Sequence, residues 1–199
     1  MRHTLLALTL TAALAMPALA QTPPAPPEAE RMIAGQRDGY LVDSQNGCWV
    51  WTGGISRSST DLAVRWSGSC PEGPATGRGR AITSWREAGQ LREMVFEGTL
   101  QRGKAEGYGT LAHLEDGEAV VLESGEYRND YLVQGRLEIP RNNLVYEGGL
   151  MRGQPHGEGQ LTVQGRQFRG TWQNGCLEVS PGDYLAFTRP ADSCAAAPT

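Results

Sequence analysis

The sequence is poor in the residues on which nucleic-acid binding and membrane binding usually depend. Of its 199 residues, 18 are lysine or arginine, and Lys104 is the single lysine. The arginines are scattered and form no basic stripe that would follow a phosphate backbone. An anionic membrane surface is disfavoured for the same reason. We therefore expect no nucleic-acid partner and no direct binding to lipid.

The three histidines and the carboxylates form no motif that is typical of an active site. His113 lies at the end of a predicted strand and His156 in a predicted turn, and neither has the His-x-His or Glu-x-x-His spacing of a metal site. The sequence contains no Gly-x-Ser-x-Gly motif for a nucleophilic serine. We expect a protein that is not an enzyme, needs no cofactor and holds no metal.

The first 20 residues have the pattern of a signal peptide. Arg2 and His3 give a charged start, residues 5–16 are apolar, and Ala18-Leu19-Ala20 is typical of a cleavage site. The apolar stretch is too short to cross a bilayer. We expect cleavage after Ala20 and a mature chain that is periplasmic or secreted.

Composition divides the rest of the chain into a central region and its flanks. Residues 21–36 are rich in proline and predict a disordered linker. We expect N-terminal cap strands at 37–65, a C-terminal cap at 177–194 and a loose tail at 195–199. Within the N-terminal cap, residues 48–52 predict a short strand that could pair with residues 62–67.

Four cysteines in an exported chain predict disulfides, because the compartment is oxidising. Three pairings are possible. We favour Cys48–Cys70 and Cys176–Cys194, because the members of each pair are close in sequence and flank one end of the central region. Each bond would stabilise the fold by about 3 kcal/mol. Free thiols or a zinc site are the alternative, but the paired Cys-x-x-Cys spacing of a zinc knuckle is missing.

The central region, residues 66–176, contains an internal repeat that is marked by glycine. Residues 96–111 read FEGTLQRGKAEGYGTL, and residues 146–161 read YEGGLMRGQPHGEGQL. Weaker copies start near residues 66, 123 and 168, and the copy at 123 has Glu123 where the others have an aromatic residue. Repeats of this kind predict a stack of small units, which is typical of binding surfaces and spacers.

Each copy predicts a β-hairpin. Strand alternation places Phe96, Gly98 and Leu100 on one face, with a turn over residues 101–106. Glycine inside a strand normally weakens it, unless something packs closely there. We therefore expect an aromatic ring on one strand to lie over glycine on its neighbour. Residues 85–93 lie outside this pattern and predict an inserted loop, which is either an interaction element or slack.

The unit resembles the MORN repeat. The matching residues are Tyr146-Glu147-Gly148, Gly153, Gly157, Gly159 and Leu161, followed by Phe168, Gly170, Trp172, Asn174 and Gly175. MORN proteins are single-layer antiparallel β-meanders. The resemblance therefore implies an all-β fold, an elongated meander of successive hairpins, with ends that we expect the disulfides to cap.

An aromatic stripe on one face of this meander is the candidate binding site. It consists of Trp66, Phe96, Tyr146, Phe168 and Trp172. The rings either form only the core or also bind an extended peptide, a sugar chain or a second copy. The resemblance implies a non-catalytic interaction or scaffold module with a protein partner or homo-oligomer. The alternatives are a glycan- or peptidoglycan-binding module, which exposed rings would favour, and a membrane-associated binder.

Overall fold

A computed structural model of the chain describes residues 23–32, 35–187, 190 and 192–195. The predicted signal peptide lies outside the described residues, as do residues 21–22 of the predicted linker and residues 196–199 of the predicted tail. None of the helices in the described part of the chain is long and apolar enough to cross a membrane.

The regular secondary structure of the described residues is almost entirely β-strand. In chain order the strands are β1 (Gly39–Val42), β2 (Trp49–Thr52), β3 (Thr60–Trp66), β4 (Gly77–Glu87), β5 (Gln90–Gln101), β6 (Lys104–Glu115), β7 (Glu118–Arg128), β8 (Tyr131–Ile139), β9 (Leu144–Met151), β10 (Gln154–Val163), β11 (Arg166–Trp172), β12 (Cys176–Ser180) and β13 (Asp183–Ala186). Short helical turns are at Glu28–Glu30, Pro140–Asn142 and Asp192–Ala195.

Strands β3 to β11 form one antiparallel sheet in which every strand pairs with the next along the chain. Strands β1 and β2 pair with each other, and so do β12 and β13. The predicted all-β fold, a single-layer meander with disulfides near its ends, is confirmed.

Most connections within the sheet are two-residue turns in which both residues have positive φ. At Arg102 and Gly103, for example, φ is 53° and 77°. This geometry matches the twist of the paired strands and keeps the hairpins tight. The loop predicted at residues 85–93 is wrong, because β4 continues to Glu87 and a turn at Ala88 and Gly89 leads directly into β5.

Aromatic rings lie over glycines on one face of the sheet, as the repeat predicts. A Cβ atom added to Gly98 would lie 2.6 Å from Cζ of Phe96, and one added to Gly109 would lie 2.7 Å from Cε2 of the same ring. Tyr146 covers Gly148 and Gly159 in the same way, and Trp66 covers Gly68 and Gly79. We call this side of the sheet the aromatic face.

The N-terminal hairpin, β1–β2, covers one end of the aromatic face. Strand β2 pairs with β1, so the pairing considered for residues 48–52 with residues 62–67 is wrong. The hairpin is attached to β3 through the Asp43 carboxylate, which accepts hydrogen bonds from the Trp66 backbone N–H and the Arg65 side chain, both at 2.9 Å. Asp43 is 2% exposed. Burial alone would raise the pKa of Asp43, but these hydrogen bonds and that of Gln45 lower it.

The described part of the predicted linker contacts this hairpin. The Trp49 indole N–H donates to the Pro24 carbonyl at 3.0 Å, and the Met32 backbone N–H donates to the Tyr40 carbonyl at 2.9 Å. Residues 24–32 are thus attached to the fold at both ends. The reason is that the exposed edges of this small hairpin offer donors and acceptors that the proline-rich chain satisfies.

The C-terminal hairpin, β12–β13, covers the opposite end of the aromatic face. Leu177 lies over Gly170, where an added Cβ would be 2.7 Å from Cδ1 of the leucine. The Phe187 ring packs on Tyr146 at a centroid distance of 6.0 Å. The disulfides are Cys48–Cys70 beside the first hairpin and Cys176–Cys194 beside the second. These are the pairs that the sequence favours.

Candidate functional site: the open centre of the aromatic face

A cavity lies on the aromatic face between the two hairpins. It has a volume of about 570 Å³ and is bounded by residues 50–54 of the N-terminal hairpin and by residues of β4 to β9. We call it the central cavity. The lining that bears on its chemistry is Asp38, Trp51, Thr52, Phe96, Leu111, His113, Glu123, Tyr127, Asp130, Tyr131, Leu137 and Arg152.

A row of directly paired residues crosses the aromatic face and contains one charged member, Glu123. The row runs Trp66, Ala81, Phe96, Leu111, Glu123, Leu137, Tyr146, Leu161 and Phe168. Strand β7, which carries Glu123, is the fifth of the nine strands. A carboxylate therefore stands at the middle of an otherwise apolar row.

The Glu123 carboxylate is held by Tyr127. The Tyr127 hydroxyl donates to Glu123 Oε2 at 3.0 Å, and the tyrosine is 1% exposed. Its ring meets Phe96 edge to face at a centroid distance of 5.4 Å. Burial, together with the neighbouring Glu123 charge, raises the pKa of Tyr127 well above its usual value. The tyrosine therefore stays protonated and remains a hydrogen-bond donor to the carboxylate.

A second carboxylate, Asp130, lies at the turn-side edge of the cavity. Its Oδ1 accepts a hydrogen bond from the Ala105 backbone N–H at 3.0 Å. Burial raises the pKa of Asp130 to about 6, although this hydrogen bond and the charge of Lys104 act in the opposite direction. The Lys104 ammonium also lies 4.2 Å from the centroid of the Trp51 ring. Lys104 thus connects the sheet with the N-terminal hairpin.

The five rings of the predicted stripe are mostly inaccessible. Trp66, Phe96, Tyr146 and Trp172 are 4%, 7%, 0% and 1% exposed, and Phe168 is half-buried. They are packed on glycine and, at the two ends, under the hairpins. Of the five, Phe96 lines the central cavity.

Sequence reasoning missed the residues that give the cavity its polarity. Glu123 was noted only as a defect in the repeat, and His113 as the end of a strand. The sequence did contain a signal, because Glu123 stands at the position where every other copy of the repeat has an aromatic residue. Among the described residues, no group of three or more histidine, cysteine, aspartate or glutamate side chains could hold a metal ion.

Comparison with known proteins adds one finding. A search of curated proteins gave no match. The family model of the MORN repeat matches residues 96–112 and 146–162. These are the two copies in which Phe96 and Tyr146 cover glycines on two neighbouring strands, so the match and the packing agree. The chain therefore contains MORN repeats at residues 96–112 and 146–162.

Proposed function

We propose that this protein is a non-catalytic interaction module that contacts a protein partner or a second copy of itself at the central cavity. MORN repeats are generally found in binding or scaffold proteins. The observation that carries the proposal is the position of the cavity, at the part of the aromatic face that lies between the two hairpins. A mixed apolar and polar lining of this kind is typical of a recognition site.

Exposed side chains at and away from the cavity allow the proposal to be tested. Tyr131 is 52% exposed and lines the central cavity, whereas Tyr108 is 76% exposed and does not line it. Large aromatic residues at the edge of a cavity are typical contributors to binding energy. Tyr131→Ala should therefore weaken the contact, and Tyr108→Ala serves as the matched control.

We also propose that the protein works outside the cytoplasm, in the periplasm or as a secreted protein. Two disulfides support this location, because such bonds persist in oxidising compartments. The pattern of residues 1–20 supports it independently. Free-thiol titration of the protein isolated from its natural compartment would test the location, since free thiols in the mature chain would contradict it.

The test of the interaction is mild crosslinking in a cell-envelope extract, recovery of the tagged mature chain and measurement of the mass of the complex. We expect one stoichiometric protein, or a homodimer, that Tyr131→Ala loses and Tyr108→Ala keeps. A monomer without a partner, or equal recovery by both variants, would overturn the proposed contact site. The buried rings make sugar stacking on the predicted stripe unfavourable, so a glycan partner gains no support from this geometry.

A further inference from the structure

We propose that the central cavity binds an organic cation, an ammonium or guanidinium group, with Glu123 as its counter-ion. The inference deepens the proposed function by naming the chemistry that the same site recognises, and it rests on that proposal only for the source of the cation. The source is either a lysine or arginine side chain of the partner or a free amine. Each carries positively charged N–H donors, and the experiment below separates the two sources.

The Glu123 carboxylate has one oxygen that no described hydrogen-bond donor occupies. Oε2 accepts the Tyr127 hydroxyl at 3.0 Å, while the nearest basic group to Oε1 is the His113 Nε2 atom at 3.8 Å. A separation of 3.8 Å is too long for a direct hydrogen bond. The Glu123 side chain is only 18% exposed. A carboxylate that is held in place and partly removed from water attracts a cation more strongly than a surface carboxylate does.

The other acids at the cavity are already engaged with the protein. Asp130 accepts the Ala105 backbone N–H and interacts with the charge of Lys104. Asp38 accepts the Gly54 backbone N–H at 2.9 Å. The arginine that lines the cavity, Arg152, makes no ion pair within 4.0 Å among the described residues. Among the described residues, Glu123 is therefore the acid of this lining that accepts no backbone N–H and has neither a lysine nor an arginine within 4.0 Å.

Three further residues of the lining suit a cation with an apolar stem. Phe96 and Tyr131 line the cavity, and aromatic ring faces attract ammonium and guanidinium groups. Thr52 lines the same cavity and is 2% exposed, and its hydroxyl has no hydrogen-bond partner in the described part of the chain. A hydroxyl oxygen of this kind accepts an N–H from a bound cation and thereby removes the cost of its burial.

The direct test is titration of the mature protein with n-butylammonium and n-propylguanidinium chloride, with 1-butanol as a neutral probe of similar size. Binding is followed by calorimetry and by the NMR shifts of His113 and Tyr127. We expect dissociation constants on the order of millimolar, as befits probes of five to seven non-hydrogen atoms. Butanol should bind at least about tenfold more weakly, because it lacks the charge that Glu123 attracts.

Two matched variants locate the binding. Glu123→Gln keeps an acceptor for Tyr127 and so should fold, but it should weaken cation binding at least about tenfold. Glu97→Gln changes a carboxylate that is 61% exposed and paired with Arg80 at 3.5 Å. It lies on the opposite face of the sheet and should leave cation binding unchanged. Equal binding of butanol and butylammonium, or cation binding that Glu123→Gln does not alter, would overturn the proposal, as would the absence of shifts at His113 and Tyr127.

Recovery of the partner with the same two variants separates the sources of the cation. A partner that is bound by the wild type and lost by Glu123→Gln identifies a side chain of that partner. Cation binding without any recovered partner identifies a free amine. If the wild type binds no probe and the Glu123→Gln and Glu97→Gln variants recover the partner equally, the cation site is overturned. The proposed interaction module then still stands.

Discussion

Replacing Gly109 by alanine tests whether the ring-over-glycine packing holds the sheet together. The added Cβ would lie 2.7 Å from both Cε2 and Cζ of Phe96 and 3.1 Å from the Glu97 carbonyl oxygen. The ring is 7% exposed, and it is confined by Gly98 beneath it and by Tyr127 at its edge. Overpacking of a confined core ring costs about 1–3 kcal/mol. We expect Gly109→Ala to lower the free energy of unfolding by about 2 kcal/mol.

A double-mutant cycle with Phe96→Leu separates this clash from any general intolerance of alanine. Leucine lacks the ring atoms that the new Cβ would meet, so Gly109→Ala should cost under about 1 kcal/mol in the Phe96→Leu background. Gly107 has φ +73° and nothing within 4 Å of an added Cβ. Gly107→Ala should therefore cost about 1–2 kcal/mol through its backbone alone, equally in both backgrounds.

Urea unfolding with the disulfides intact, followed by circular dichroism, measures the four corners of each cycle. Equal costs of Gly109→Ala in the two backgrounds would refute the packing argument, because the cost would then arise from the strand and not from the ring. A cost for Gly107→Ala that also falls in the Phe96→Leu background would show that the leucine background is simply less sensitive to substitution.

Three further predictions concern the charges and the disulfides. The pKa of Asp130 is about 6 in the fold and about 3.9 in an unfolded chain, so the fold binds more protons between these values. The free energy of unfolding should therefore fall as pH rises from about 4 to about 6, and Asp130→Asn, which suits the φ of 74°, should remove that slope in urea titrations at each pH. Asp43→Ala leaves the Trp66 N–H buried without its acceptor and should cost about 3 kcal/mol in the same assay, whereas a cost below about 1 kcal/mol would show that Asp43 does not attach the hairpin. Replacing Cys176 and Cys194 by serine should cost about 3 kcal/mol, and a shift in melting temperature of less than about 2 °C would contradict this.

The repeated hairpins could be predicted from the sequence because their determinants are local. Alternation along residues 96–101 and the turn at Arg102 and Gly103 specify one hairpin within 16 residues. The repeat then extends the same geometry to its neighbours. The extra residues at 85–93 were misinterpreted because the consensus ends there, while strand alternation continues across the Ala88–Gly89 turn.

The two end hairpins could not be predicted in the same way, because long-range contacts position them. Strand β1 was not recognised, since four residues give little periodicity. Its partner was assigned to residues 62–67 because these are near in sequence. The attachment depends on the Asp43 carboxylate meeting the Trp66 N–H, across 23 residues. No pattern within either segment indicates that contact.

The centre of the aromatic face differs from its ends for one physical reason. At the C-terminal end the hairpin segment supplies apolar side chains to this face: Leu177 lies over Gly170, and Phe187 packs on the Tyr146 ring. Glu123 replaces a ring midway between the two ends, where a carboxylate needs water or a cation and cannot be covered by an apolar layer without a large desolvation cost. The departure from the repeat thus coincides with the cavity. Glu123 interrupts the apolar row, lines the cavity and accepts a hydrogen bond from Tyr127, and these are the features on which the proposed binding site depends.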